Sequence, residues 1–309
     1  MGGRISLEDA LARVRTGDRG ALRDALAGTT GFVIAAAVKH LAPGDELIGE
    51  LAGAFGRLCE DAVKRDPGCR GKVAIARALI DLGQWDDAVF ARGVTYVQRE
   101  PAFGGPVDTA AELRGVCGIA HARFVHSDAL DVLAQLLADP ERMARCAAAQ
   151  GLGDAGRPDA SALLRFKLLT GDDGAEVIGA CAESLLAVQR DAAVVFLTGL
   201  MDHDERGEAI VVALGAGRCA EALPAIIAWC EGAMPDARRR VGYLALALLR
   251  LDAATEHLLA AIRDGSATDA IAAAKALATF KEDATVRDRL LVAVADREAS
   301  VRAEIERLV

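Results

Sequence analysis

The sequence predicts an all-α fold, a right-handed α-solenoid (an α-α superhelix) of about nine stacked helical hairpins. Three observations predict it. The first is composition: 65 of the 309 residues are alanine and only 4% are aromatic. Alanine loses no side-chain entropy in a helix and lets two helix backbones approach closely, so helices are favoured over sheets. The second is a repeating unit. Second-helix leucines Leu152, Leu185, Leu214, Leu246 and Leu277 stand 33, 29, 32 and 31 residues apart, a two-helix period of roughly 31 residues. The third is the local period. Val194, Leu197 and Met201 form an apolar stripe at helical spacing, and so do Val177, Cys181, Leu185 and Val188 on the preceding helix. One hairpin cannot hide both stripes alone, so it must lean on its neighbours.

Taken in chain order, Met1-Gly2-Gly3-Arg4 leads into Ser6-Leu7-Glu8-Asp9, a polar helix start and not the apolar core of a signal peptide. A helix at about 6–15 is expected to cap the stack, followed by helical pairs near 19–27 and 30–41, 45–65 and 69–83, and 85–99 and 107–125. From 128 onward, acidic turns punctuate the chain: Ala138-Asp139-Pro140-Glu141, Gly171-Asp172-Asp173-Gly174, Met201-Asp202-His203-Asp204, Glu231-Gly232-Ala233-Met234-Pro235-Asp236, Arg263-Asp264-Gly265-Ser266 and Ala295-Asp296-Arg297-Glu298. Aspartates there supply side-chain acceptors to helix N-termini, and glycines end helices. The chain is therefore expected to form a single continuous solenoid over 1–309, less regular and longer-armed in 1–127 and regular in 128–309.

The clearest second helix, Glu141 to Asp154, has a charged start, an alanine-rich run and a Leu152-Gly153-Asp154 stop. It resembles the HEAT-repeat proteins of bacteria, in particular their phycobilin-lyase-type HEAT-like repeats, over at least 128–309. The resemblance implies an armadillo-like helical architecture and a group of scaffolds, adaptors, chaperone-like factors and a few enzymes.

Charge narrows the partners. The formal net charge is −9, with 18 basic and 21 acidic residues in 1–154 and 18 and 24 in 155–309. Neither half is basic, so phosphate neutralisation is not expected, and neither nucleic acid nor membrane is a predicted partner. Apolar runs such as Val241 to Leu249 are about half of a membrane span. Seven scattered cysteines without a C-x-x-C pair suit a reducing compartment, so a cytoplasmic address is expected.

Several motifs mimic chemistry without its context. Gly151-Leu152-Gly153-Asp154-Ala155-Gly156 follows a helix instead of a strand, which marks it as a helix stop and not a dinucleotide loop. Gly68-Cys69-Arg70-Gly71-Lys72 lacks the spacing of a phosphate loop and reads as a helix start. No histidine is followed by glutamate, as the His-Glu pairs of HEAT-like deoxyhypusine hydroxylases would require, and an acidic chain whose tryptophans are Trp85 and Trp229 does not suit a HEAT-like DNA glycosylase. Trp85 reads as a packing residue.

The segment Tyr96 to Asp108 is the most elaborate turn, with Pro101 and Pro106 flanking Gly104-Gly105. Gln98, Glu100, Asp108, Arg114 and His121 could gather there to bind a ligand or partner; alternatively, Arg114 pairs with Glu100 or Asp108 to fix a long loop. Cys117 and His121 stand at i and i+4, with His126 beyond, but no second pair completes a metal set, and the sequence predicts neither metal nor cofactor. Arg238, Arg239 and Arg240 are the one basic triplet. Successive helix positions diverge by roughly 100°, so at most two share a face, and Arg238 and Arg239 are the candidates for docking an acidic partner. With no catalytic constellation, the expected function is a non-catalytic protein-interaction scaffold or adaptor. The alternative is an enzyme or a small-molecule or chaperone-type factor of the bilin-lyase-like group, with a site near 96–121.

Overall fold

The computed structural model describes residues 6–232 and 236–308. The opening Met1-Gly2-Gly3-Arg4 and the Ala233-Met234-Pro235 part of one repeat turn lie outside the described residues. The contacts group the chain into two compact units, Met1–Ala160 and Ser161–Val309.

In the first unit the helices are α1 (Leu7–Arg15), α2 (Arg19–Ala27), α3 (Gly31–Ala37), α4 (Leu51–Leu58), α5 (Ala62–Arg65), α6 (Arg70–Asp81), α7 (Asp87–Gly93), α8 (Ala111–Arg123), α9 (Ala129–Leu136) and α10 (Arg142–Ala155). Caps explain several starts. Ser6 Oγ accepts from the Asp9 N–H, Asp18 Oδ1 from Ala21, and Asp86 Oδ1 from Val89. Packing runs in two rows: α1 on α3, α3 on α6, α6 on α8 and α8 on α10 in one, α2 on α4 and α4 on α7 in the other. Between the rows lie the fully buried Leu26, Ile34, Phe55, Leu58, Ile75 and Leu113, each contributing about 1.5–3 kcal/mol of burial. The α3–α6 crossing needs glycine at 71, because a Cβ there would stand 2.7 Å from the Gly31 Cα.

The second unit holds α11 (Ala160–Thr170), α12 (Ala175–Thr198), α13 (Asp204–Ala216), α14 (Leu223–Glu231), α15 (Asp236–Leu249), α16 (Asp252–Asp264), α17 (Ala267–Ala278), α18 (Ala284–Val294) and α19 (Ala299–Glu306). Its second helices stack α13 on α15, α15 on α17 and α17 on α19, while α16 packs on α18. Helix α12 breaks at Gln189, whose backbone leaves the helical region (φ −153, ψ 70), so it serves as two arms of a hairpin. All five landmark leucines are buried. Each unit is an all-α stack of hairpins of the solenoid class.

Backbones approach closely here as well, since a Cβ on Gly215 of α13 would fall 2.5 Å from the Ala245 carbonyl oxygen of α15. Gly215→Ala is therefore expected to destabilise the chain by about 1–3 kcal/mol, because that backbone cannot swing aside as a flexible side chain would. Urea titration checks it, and an unchanged midpoint would show that the α13–α15 contact is looser than described.

Three stretches depart from the expected boundaries. Residues 45–65 form a short 3-10 turn followed by α4 and α5 instead of one long helix. The helix expected over 85–99 ends at Gly93, and the one expected from 107 starts at Ala111. Between them, Arg99–Glu100 (β1) and Val107–Asp108 (β2) form a two-residue antiparallel pair, Arg99 opposite Asp108 and Glu100 opposite Val107. The run Val94-Thr95-Tyr96-Val97 is β-branched and aromatic, which disfavours helix and suits an extended arm.

Candidate functional site

The arms of 96–108 close on a tip, Pro101 to Pro106, where Gly104 (φ 94) and Gly105 (φ 123) take left-handed backbone that L side chains avoid. Below the tip, polar groups interlock. Asp108 Oδ1 accepts from the backbone N–H of Gln98 (3.1 Å) and Ala110 (2.9 Å), and its Oδ2 accepts from Arg114 Nη1 (2.7 Å). Glu100 Oε1 accepts from the Gly68 N–H, the Gln98 amide and the Thr109 hydroxyl, each at 2.7 Å. Burial pushes both carboxyls up, yet these donors, with Arg114 added for Asp108, hold Glu100 and Asp108 below the usual carboxylate range.

Arg114, 3% exposed, is the hub. Besides Asp108 it donates to the Tyr96 carbonyl (2.9 Å) and grips Asp139 through Nε and Nη2 at 2.7 and 2.8 Å, a bidentate fork. Asp139 in turn accepts from the Glu141 N–H at the start of the next hairpin. So Arg114 pairs with Asp108 but not with Glu100, and its second carboxylate is one that sequence reasoning assigned only to a turn. The same tie recurs where Arg239 Nη1 donates to Asp269 Oδ1 at 3.0 Å.

The hairpin is also sewn to the turn before α6. Gln98 Nε2 donates to the Asp66 carbonyl (2.8 Å). The Asp66 carboxylate lies 1% exposed against the amides of Gly71 (2.7 Å) and Lys72 (3.1 Å) and the Lys72 ammonium (2.9 Å). Lys72 is wholly buried, donates also to the Leu58 carbonyl and lies 5.3 Å over the Tyr96 ring. The amides that hinted at a phosphate loop are thus occupied by the protein's own carboxylate, and the segment is the start of α6.

Four of the five residues singled out near this loop, Gln98, Glu100, Asp108 and Arg114, meet in one network. His121 does not. Its Nδ1 lies 2.8 Å from the Cys117 carbonyl, and its ring sits edge-on to Trp85, which stacks against Phe90 and His126. Arg238 and Arg239 diverge as consecutive positions must: Arg239 goes to Asp269, while Arg238 lies 5.2 Å over the Trp229 ring and 3.8 Å from Glu208. Arg238 also lines a groove of about 840 Å³ with Arg206, Asp172 and Glu208. Sequence reasoning placed Lys72 only in a helix start and Asp139 only in a turn, and it pointed to no role for Asp66 or Phe103. A phenylalanine set between Pro101 and Gly104-Gly105 is itself a signal, because an apolar ring has no packing reason to stand in a turn.

Comparison with known proteins identifies the repeat. Residues 107–186 and 130–215 match the profile described as HEAT repeats. Those residues carry HEAT repeats. No curated protein is a significant match to this chain. Among solved structures, it is similar to the complex of CpcE and CpcF of phycocyanin lyase from Nostoc sp. PCC7120, at 18% identity and a TM-score of 0.36, covering 100% of this chain and 96% of that one. No described helix of the chain is long and apolar enough to cross a membrane.

Proposed function

We propose that this HEAT-repeat chain is a protein-interaction scaffold and that the tip of the 96–108 hairpin inserts into its partner. One observation carries the reading: Phe103 is fully exposed at the end of a loop whose base is locked by the Arg114 network. Val97 and Val107 are also about half exposed on the two arms. An apolar ring held in water on an ordered support loses little freedom on docking, so most of its burial reaches affinity. The occupant that fits is a protein with an apolar socket for a phenyl ring. Asp108, Arg114 and Asp139 spend their charges on one another, which suits anchoring better than proton transfer.

Phe103→Ala tests this without touching the core. Melting temperature is expected to stay within about 1 °C of wild type, as for an exposed site away from structural features. Affinity for the protein captured by the wild-type chain, re-measured with purified components, is expected to fall about 30-fold, the equivalent of roughly 2 kcal/mol for a central anchor. Equal affinity of the two chains for that protein would remove the proposal.

A further inference from the structure

The turn joining α8 to α9 brings together three metal-ligating side chains outside the hairpin network. His121 lies near the end of α8, His126 follows the turn, and Asp128 stands at the N-cap of α9. One ligand atom from each lies within 4.8 Å of the other two. We propose that His121, His126 and Asp128 form a binding site for a zinc-class divalent cation, with the remaining coordination position open to solvent.

The proton positions argue for it first. The Cys117 carbonyl can only accept, so the 2.8 Å contact puts a proton on His121 Nδ1 and, in the neutral ring, leaves Nε2 as a bare lone pair. That lone pair belongs to a side chain only 2% exposed and faces Asp128 Oδ1 at 3.9 Å. Two acceptors turned toward each other, too far apart for a hydrogen bond, make a place for a cation. A ring whose second nitrogen donates to a backbone carbonyl is also how metal-binding histidines are fixed in tautomer and direction.

Asp128 supplies the second argument. An aspartate at an N-cap ordinarily accepts from the first free amides of its helix. Here the cap makes no such bond, and the carboxylate turns instead to accept from His126 Nδ1 at 2.5 Å, a hydrogen bond whose proton a bound cation would release to solvent. Donor atoms on a tetrahedral ion with bonds of about 2.0–2.2 Å stand roughly 3.3 Å apart. The 2.5 Å and 3.9 Å separations bracket that value and all three ligand atoms lie within 4.8 Å of one another, so side-chain shifts of up to about 1.5 Å would seat an ion.

The surroundings hold the rings. Trp85 stacks on His126 (centroids 4.9 Å from His121 and 4.6 Å from His126) and meets His121 edge-on. The turn itself passes through Val125 at φ 52, a left-handed position where glycine is usual, and the His126 N–H closes it by donating to the His121 carbonyl. Access is open, since the His126 and Asp128 side chains are 37% and 48% exposed. Two imidazoles and one carboxylate suit zinc and its neighbours, and offer too few oxygens for calcium.

Chelator-stripped full-length chain, titrated with zinc chloride in a calorimeter, tests the site. The expected result is one zinc per chain at micromolar affinity or tighter, with Co(II) giving the intense visible absorption of a tetrahedral centre. His126→Ala and Asp128→Asn should each weaken zinc at least about tenfold and abolish that absorption, while Asp131→Asn, an exposed carboxylate on α9, should change neither. Should either variant fold poorly by circular dichroism, the wild-type cobalt spectrum still decides. No one-site zinc binding, an octahedral cobalt spectrum, or folded variants that bind as wild type would each overturn the proposal.

Discussion

Asp66→Ala is expected to lower the stability of the chain by about 3–5 kcal/mol, the usual result of stripping one partner from a buried ion pair. The melting temperature should fall by roughly 10 °C, at about 2–4 °C per kcal/mol for a unit of this size. The reason lies in what the carboxylate leaves behind. Lys72 has no exposed surface, and without Asp66 its ammonium would keep only the Leu58 carbonyl and the face of Tyr96. The amides of Gly71 and Lys72 would lose their acceptor at the same moment. Replacing both charges together, as Asp66→Asn with Lys72→Met, is expected to return the chain to within about 2 kcal/mol of wild type, since an uncharged pair of similar shape owes no desolvation. A thermodynamic cycle over the two singles and the double measures the coupling. If Asp66→Ala melted with the wild-type chain, the pair would have to be hydrated and the packing of α3 on α6 misjudged.

The contrast between what was readable and what was not follows from range. Apolar stripes at helical spacing are local, and the landmark leucines from Leu152 to Leu277 all went to the core because a stripe has only one way out of water. The loop at 96–108 was marked by its prolines and glycines. Its strand pair was not, because the bond that organises it, Asp108 to the Gln98 N–H, joins residues ten apart. Arg114 shows the limit most clearly. Glu100 and Asp108 were its candidate partners by proximity in the chain, yet half of its hydrogen bonds go to Asp139, 25 residues on, in the turn of the following hairpin. Periodicity held a usable hint: Arg239 reaches Asp269 across 30 residues, about one repeat, so an arginine in one hairpin and an aspartate at or near the start of the next second helix form a recurring tie. Asp66 was hidden differently. A string of Gly68 to Lys72 suggests an anion cradle, and only the coordinates show that the anion comes from the protein itself.

Arg114→Ala is expected to cost about 3–5 kcal/mol, because it strands two carboxylates whose side chains are 9% and 8% exposed. Arg114→Lys should rescue it only in part and is expected to lose roughly 2 kcal/mol, since a point charge cannot hold Asp139 by a fork while also reaching Asp108 and the Tyr96 carbonyl. The sign of the pH dependence separates this structural role from a ligand-binding one. The Asp108 carboxyl is driven up by burial but more strongly down by the Ala110 and Gln98 amides and by Arg114, so its folded value is depressed. A depressed carboxylate stabilises the fold above its unfolded value near about 4 and loses that contribution as pH falls through the folded value. The gap between wild type and Arg114→Ala should therefore be widest near neutrality and shrink below about pH 4. Denaturant titrations at a series of pH values read it directly. An arginine kept for a ligand predicts the opposite pattern, in which Arg114→Ala leaves the unfolding midpoint unchanged at every pH and weakens only binding. Because Phe103 projects from the hairpin that Arg114 holds, Arg114→Ala should also loosen partner binding, but through a softened support, whereas Phe103→Ala should do so with stability intact.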